Sequence, residues 1–360
     1  MLDKTTSSFV LHSFVNASPF PFPFSSLSTM APSRISLGHP TSSEPGLSKQ
    51  QLETFEQDGY LLIPDALDAN TVSSLLSETH SMLENFSLDD HPMTKFSTGE
   101  GKNGEHVGDD YFLSSGDKIR FFFEEGTNSH QATCISNLTI RISDAFDTSG
   151  NLTKPKSRAI NKIGHYLHAL SLPFASLLSP SFTHSPGAIA RSLGFREPQC
   201  LQSMIICKQP EIGGAVPPHQ DSTFLFTDPP SAVGFWYALE DATVENGCLS
   251  FLPGSHKTAE IKERFVRKKD GSGTEFIDND WARFPPGNGY TAEETEGEYK
   301  LGEVKAGTLV LIHGNLLHKS EKNVSQKGRI IYTFHVIEGE GAVYDERNWL
   351  QPPKEGFTKI

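Results

Sequence analysis

Apolar residues recur at two different periods along this chain, and the change of period divides it. In the first part, Val72, Leu75, Leu76, Met82, Leu83 and Phe86, with Thr79 among them, follow a three-to-four spacing that predicts one helix face, capped by Asp68 or Asn70. A shorter helix is predicted from Ser48-Lys-Gln-Gln51, a capping-box pattern, with Leu52 and Phe55 sharing its apolar face. Asp58-Gly59 then turns the chain into a strand, Tyr60-Leu-Leu-Ile63, stopped by Pro64. Residues 87 to 110 read as a polar, Gly-rich loop, Lys118 to Phe123 as a strand, and Ile160 to Leu170 as a helix.

From Gln199 onward the pattern changes to short strands separated by turn residues. Strands are predicted at 201 to 208, 219 to 226, 233 to 239, 248 to 252, 308 to 313, 316 to 320 and 329 to 337. Turn residues separate them, as at Gly213-Gly214, Pro229-Pro230, Pro253-Gly254 and Ala306-Gly307. This pattern predicts a mainly β fold with flanking helices, a jelly roll or sandwich. Residues 255 to 300, with a basic piece at Lys262 to Lys269 and an acidic one at Glu293 to Glu298, are expected to form a surface excursion.

Composition narrows the class. The 360 residues carry a net charge of −13, which disfavours nucleic acid or an anionic membrane surface as partner and favours a small-molecule ligand. Oligomeric state is not legible. The four cysteines, Cys134, Cys200, Cys207 and Cys248, show no CxxC spacing and suit a reducing, cytoplasmic setting. Residues 1 to 47, rich in Ser, Pro and Phe, are expected to be a disordered tail, with Met30 an alternative start. Residues 48 to 357 are then a single domain.

Chemistry enters at His219-Gln220-Asp221. On a strand, residues two apart share a face, so His219 and Asp221 can lean onto one ion. A bare His-x-Asp is weak evidence, but His318 follows a strongly apolar strand and shares a strand face with Ser320. Two histidines and a carboxylate are the facial triad that holds non-haem Fe(II) and leaves positions open for O2. Beyond them, Arg329 to Ile337 has one apolar face, Ile330, Tyr332, Phe334 and Val336, and one mixed face with Arg329, Thr333 and His335. An arginine on such a strand calls for an anionic partner, and a dicarboxylate co-substrate can supply one. His165, His168, His256, His313 and His335 are read as structural.

These residues resemble the Fe(II)/2-oxoglutarate dioxygenases, and flanking motifs are similar to the phytanoyl-CoA dioxygenase family. The motifs are Phe55-x-x-Asp-Gly-Tyr-Leu61, Asn246-Gly-Cys-Leu249 and Leu252-Pro-Gly-Ser-His256, joined by Asp117 to Glu124, Asn161 to His165 and Asn348-Trp-Leu-Gln-Pro352. The resemblance implies a double-stranded β-helix with His219, Asp221 and His318 on iron and Arg329 on the distal carboxylate of 2-oxoglutarate. It also implies Lys118, Met204, Trp236 and Ser320 as further co-substrate contacts. Residues 127 to 143 depart from the family pattern as an expected inserted loop. The implied reaction is hydroxylation of a small, hydrophobic or acyl-type substrate with release of succinate and CO2. Desaturation or rearrangement at the same iron, or a non-catalytic metal-binding module, stay open as alternatives.

Overall fold

The computed structural model describes residues 46–96, 109–124, 145–147, 149–280 and 298–360. The expected tail up to residue 45, the expected insertion at 127 to 143 and nearly all of the acidic run at 293 to 298 lie outside the described residues. In chain order the first strands are β1 (Tyr60–Ile63), β2 (Lys95–Phe96), β3 (Ile119–Glu124), β4 (Ile160–His165), β5 (Pro198–Lys208) and β6 (Val216–His219). Next come β7 (Thr227–Asp228), β8 (Val233–Ala238), β9 (Leu249–Phe251), β10 (Glu263–Arg267), β11 (Thr274–Asp278) and β12 (Lys300–Gly302). The last are β13 (Leu309–His313), β14 (His318–Ser320), β15 (Arg329–Glu338), β16 (Val343–Tyr344) and β17 (Thr358–Lys359). The helices are α1 (Lys49–Asp58), α2 (Ala69–Asn85), α3 (Asp110–Leu113), α4 (Leu167–Leu170), α5 (Leu172–Ala175), α6 (Pro186–Ser192) and α7 (Asp221–Phe224).

A large sheet runs β1-β13-β8-β15-β5-β4-β3-β2, with β17 also on β5, and a smaller one runs β12-β9-β14-β6. Side chains of both sheets meet in one apolar cluster that includes Trp236, Val310 and Ile331 from the large sheet with Leu249 and Phe251 from the small one. The result is the expected double-stranded β-helix. Period-two alternation decides what each strand offers the interior. On β15, Ile330, Tyr332, Phe334 and Val336 join the outer core, where Phe55, Leu75, Leu83 and Phe174 cover the large sheet. The odd-numbered residues Arg329, Ile331, Thr333 and His335 take the opposite face, as the pattern predicts.

The two amino-terminal helices form where expected. Ser48 and Gln51 close a full capping box on α1, and the Asp68 carboxylate caps α2 through the Thr71 amide. Leu47, at the end of the expected tail, is buried and its amide donates to Ser192 Oγ.

Three expectations need correction. Ile160 to Leu170 is not one helix: β4 occupies Ile160–His165, and only Leu167–Leu170 coil. Ile160, Ile163 and Leu167 have helical spacing, but β4 is paired on both sides, to β3 and β5. Sheet hydrogen bonding therefore overrides the apparent period. The strand expected at 219 to 226 ends at His219, and Asp221 opens the single turn α7. Residues 255 to 300 are not all surface, because β10 pairs with β11 and buries Arg264, Phe265 and Val266.

Arg264 has no exposed side-chain surface; it lies 2.7 Å from Asp345, with its guanidinium over the Phe226 ring. Burial alone raises the Asp345 pKa, yet hydrogen bonds from Arg347 and the Arg264 guanidinium hold this carboxyl well below its usual range. A carboxyl depressed on folding stabilises above the unfolded value of about 4 and loses that contribution as pH falls below it. Asp345→Asn is therefore expected to be less stable than the parent at pH 7 and to lose less on acidification. Urea denaturation at pH 7 and pH 3 checks this: a stability gap that does not narrow at the lower pH removes the ion pair as its source.

Candidate metal centre

His219, Asp221 and His318 converge, each with one ligand atom within 4.8 Å of the others. His219 is the last residue of β6 and stands opposite His318, the first of β14, in the small sheet. Their rings are 4.2 Å apart between centroids. Asp221 reaches them from α7, its Oδ1 3.5 Å from His219 Nε2 and 3.8 Å from His318 Nε2. The shared-strand-face expectation for His219 and Asp221 thus gives way to a strand end followed by a helical turn, which brings the same atoms together.

The donor chemistry fits a divalent ion. The Pro217 carbonyl lies 2.9 Å from His219 Nδ1, and the Leu316 carbonyl 3.0 Å from His318 Nδ1. A carbonyl only accepts, so each Nδ1 carries the proton and each Nε2 presents its lone pair to the shared space. Burial first, then the neighbouring His219, pushes His318 down to about 4, which keeps it neutral. For Asp221 burial alone raises the pKa, but facing His335 and His318 outweigh it and hold the carboxylate well below its ordinary value. The set is one carboxylate and two imidazole nitrogens.

Beside it lies a cationic pole. Arg329 opens β15 directly across from Lys208, the last residue of β5, and the two are 2 % and 3 % exposed. Arg329 Nη1 donates to the Gly247 carbonyl, while Nε has no hydrogen-bond partner, and no carboxylate pairs with Arg329 among the described residues. Burial pushes Arg329 down to about 10. Lys208 donates to Ser320 Oγ at 2.9 Å, to the Gly214 carbonyl at 2.8 Å and to the Glu321 carbonyl. Burial first, then the Arg329 charge, pushes Lys208 down to about 7. Gly247, at φ 79°, explains the Asn246-Gly-Cys motif: a Cβ there would lie 2.3 Å from the Glu321 carbonyl, so the carbonyl that meets Arg329 needs glycine.

The structure treats the other expected residues differently. Ser320 is buried and bonded to Lys208. The Trp236 ring lies 5.5 Å from the Arg329 guanidinium, and Trp236, Thr333 and Met204 are register partners in one transverse row of the large sheet. Lys118 is not gathered in: its side chain is half-exposed and pairs with Asp117 and the Ser114 carbonyl. His165, His168, His256 and His313 make local hydrogen bonds, to Ser115, Ser203, the Glu56 carbonyl and the Asn315 amide.

Several residues escaped sequence reasoning. Lys208 was available from period two, two steps of two beyond Met204. Lys162 on β4 is buried and pushed down to about 7 by burial against the opposing charges of Asp221 and Glu124; reading β4 as helix hid it. His335, on the recognised mixed face of β15, lies with Nε2 3.1 Å from Asp221 Oδ2 instead of being inert core. Phe224 has its ring 6.0 Å from the His219 ring and is followed by Phe265 and Phe276 in an aromatic wall.

Fold and site together define a double-stranded β-helix protein with a two-histidine, one-carboxylate cluster able to hold a metal ion. Residues 55–331 match the family model described as Phytanoyl-CoA dioxygenase (PhyH). The chain is 42 % identical over 313 residues to phytanoyl-CoA dioxygenase domain-containing protein 1 of Bos taurus, covering 86 % of this chain and 96 % of the relative. It is 38 % identical over 315 residues to a phytanoyl-CoA dioxygenase of Arabidopsis thaliana, covering 86 % and 95 %. The protein belongs to the phytanoyl-CoA dioxygenase family, a family of non-haem iron, 2-oxoglutarate-dependent oxygenases. Among solved structures, the α-ketoglutarate-dependent carbocyclase SnoK of nogalamycin biosynthesis shares the fold, with a TM-score of 0.52, 18 % identity and coverage of 90 % and 100 %. Among the described residues no helix is long and apolar enough to cross a membrane.

Asp221→Ala is expected to abolish tight Co(II) binding while leaving the circular dichroism spectrum unchanged. Anaerobic titration of the visible Co(II) bands checks it, and undiminished binding would remove Asp221 from the ligand set.

Proposed function

We propose that this protein hydroxylates a C–H bond of an apolar small molecule, with His219, Asp221 and His318 holding Fe(II) and Arg329 orienting 2-oxoglutarate. The observation that carries the reading is the buried Arg329 guanidinium, which has no carboxylate partner among the described residues and lies in the same barrel as the three convergent ligands. When bound, iron and 2-oxoglutarate supply the oxidising chemistry, in which O2 and 2-oxoglutarate become succinate and CO2 with one oxygen atom placed in the substrate.

The chain's own residues bind, orient and exclude water. Arg329 offers Nε and its remaining N–H groups to the far carboxylate, in a geometry that Lys cannot reproduce. Lys208 adds positive charge at the same pole and fixes the Ser320 hydroxyl. Trp236, Ile206 and Ile331 line the apolar space next to this pole and keep it dry. A carboxylate held there is only weakly screened by water, which strengthens its attraction to the two cations. On the other side of the triad, Phe224, Phe265 and Phe276 offer an aromatic surface beside His219, which suits an apolar group on the substrate.

Succinate formation from 2-oxoglutarate under air, with and without candidate apolar substrates, tests the activity. Arg329→Ala is expected to raise the apparent KM for 2-oxoglutarate by at least about tenfold, because truncating one partner of a buried charge pair leaves the other uncompensated. An unchanged KM would take Arg329 out of co-substrate binding, and no succinate from the parent protein under any condition would sink the oxygenase assignment.

A further inference from the structure

The second oxygen of the metal carboxylate is held by a residue outside the triad. Asp221 turns Oδ1 toward the two histidines and Oδ2 toward His335, whose Nε2 lies 3.1 Å away. Behind the imidazole, Gln202 Nε2 lies 2.7 Å from His335 Nδ1. An amide nitrogen only donates and a carboxylate only accepts, so Nδ1 is the acceptor and an Nε2–H is aimed at Asp221. The two residues are register partners on β15 and β5, and both are buried. Opposite His335 on the other side stands Gly234 of β8, where an added Cβ would lie 3.4 Å from both Asp221 Oδ2 and His335 Nε2.

We propose that His335 is a positioning residue for the metal site, donating Nε2–H to Asp221 Oδ2, with Gln202 fixing its tautomer. This rests on Asp221 being a metal ligand. A carboxylate bonded through Oδ2 to a fixed donor presents Oδ1 alone to the ion. One-oxygen ligation leaves a coordination position that a two-oxygen grip would fill, and a co-substrate chelating through two oxygens together with O2 needs every such position. Partners of this kind orient the ligand and tune its basicity, and their loss typically weakens metal affinity about 10–100-fold.

Anaerobic Co(II) titration of the full chain, read from the visible absorption bands, provides the test, with melting temperature measured on every variant. His335→Ala is expected to weaken Co(II) binding about 10–100-fold. His335→Gln, whose side-chain amide can still donate at the Nε2 position, is expected to stay within about threefold of the parent. Gln202→Leu, which removes the tautomer lock, should fall between them. A His335→Ala protein that folds and binds Co(II) like the parent would overturn the proposal. So would His335→Gln losing as much affinity as His335→Ala at an equal melting temperature. If the alanine variant does not fold, the Gln and Gln202→Leu variants decide: retained affinity in the first with a loss in the second supports the role, and a loss in the first or none in the second refutes it. A parent protein that does not bind Co(II), or an Asp221→Ala variant that binds it equally well, would instead overturn the triad, and the role of His335 with it.

Discussion

Arg329 and Lys208 face each other across β15 and β5, both buried, and Arg329 has no carboxylate partner among the described residues. Desolvating a cation without a counter-charge costs several kcal/mol, a large part of the net stability of a typical domain. The surroundings respond with dipoles: the Gly247 carbonyl on Arg329, and the Gly214 and Glu321 carbonyls with Ser320 Oγ on Lys208. The left-handed Gly247 and the loop residues Gly214 and Glu321 turn their carbonyls toward the two cations.

The same alternation that makes β15 a strand lets it serve two environments. Its even-numbered residues close the core beneath the helices, and its odd-numbered ones carry Arg329 and His335 into the barrel. Inside, Arg329 and Lys208 stand across from each other on β15 and β5, and the Asp221 carboxylate lies among His219, His318 and His335. Lys162 and Glu124 lie in the same field, since both Asp221 and Glu124 act on the Lys162 ammonium.

Where apolar spacing and capping agreed, the elements were legible in the sequence: Ser48 with Gln51 for α1, Asp68 for α2, and period two for β5, β8, β13 and β15. The convergence of His219, Asp221 and His318 and the burial of Arg329 were legible because such polar types are rare on strands with apolar surroundings. What failed, failed for tertiary reasons. Ile160, Ile163 and Leu167 satisfy a helical period, and only the flanking strands β3 and β5 decide otherwise. Arg264 looked like part of a solvated basic run, because the Asp345 that neutralises it is remote in sequence. His335 was placed on the correct face but could not be tied to Asp221, since facing alone does not say which residue stands opposite.

One small feature ties the metal ligands together. Gly314, between β13 and β14, donates its amide to the Ala232 carbonyl at 2.7 Å and accepts from the Ser222 amide at 2.9 Å. A Cβ at that position would lie 2.5 Å from the Ala232 carbonyl and 2.6 Å from Ser222 Oγ. The link between β13 and β14 that leads to His318 and the turn that carries Asp221 are thereby stapled to Ala232, next to the start of β8. Segments from distant parts of the chain, one leading to His318 and one carrying Asp221, are joined there through backbone hydrogen bonds. The contacts that bring Asp221 and His318 together are thus made by the backbone, so filling or emptying the site between them breaks no strand pairing.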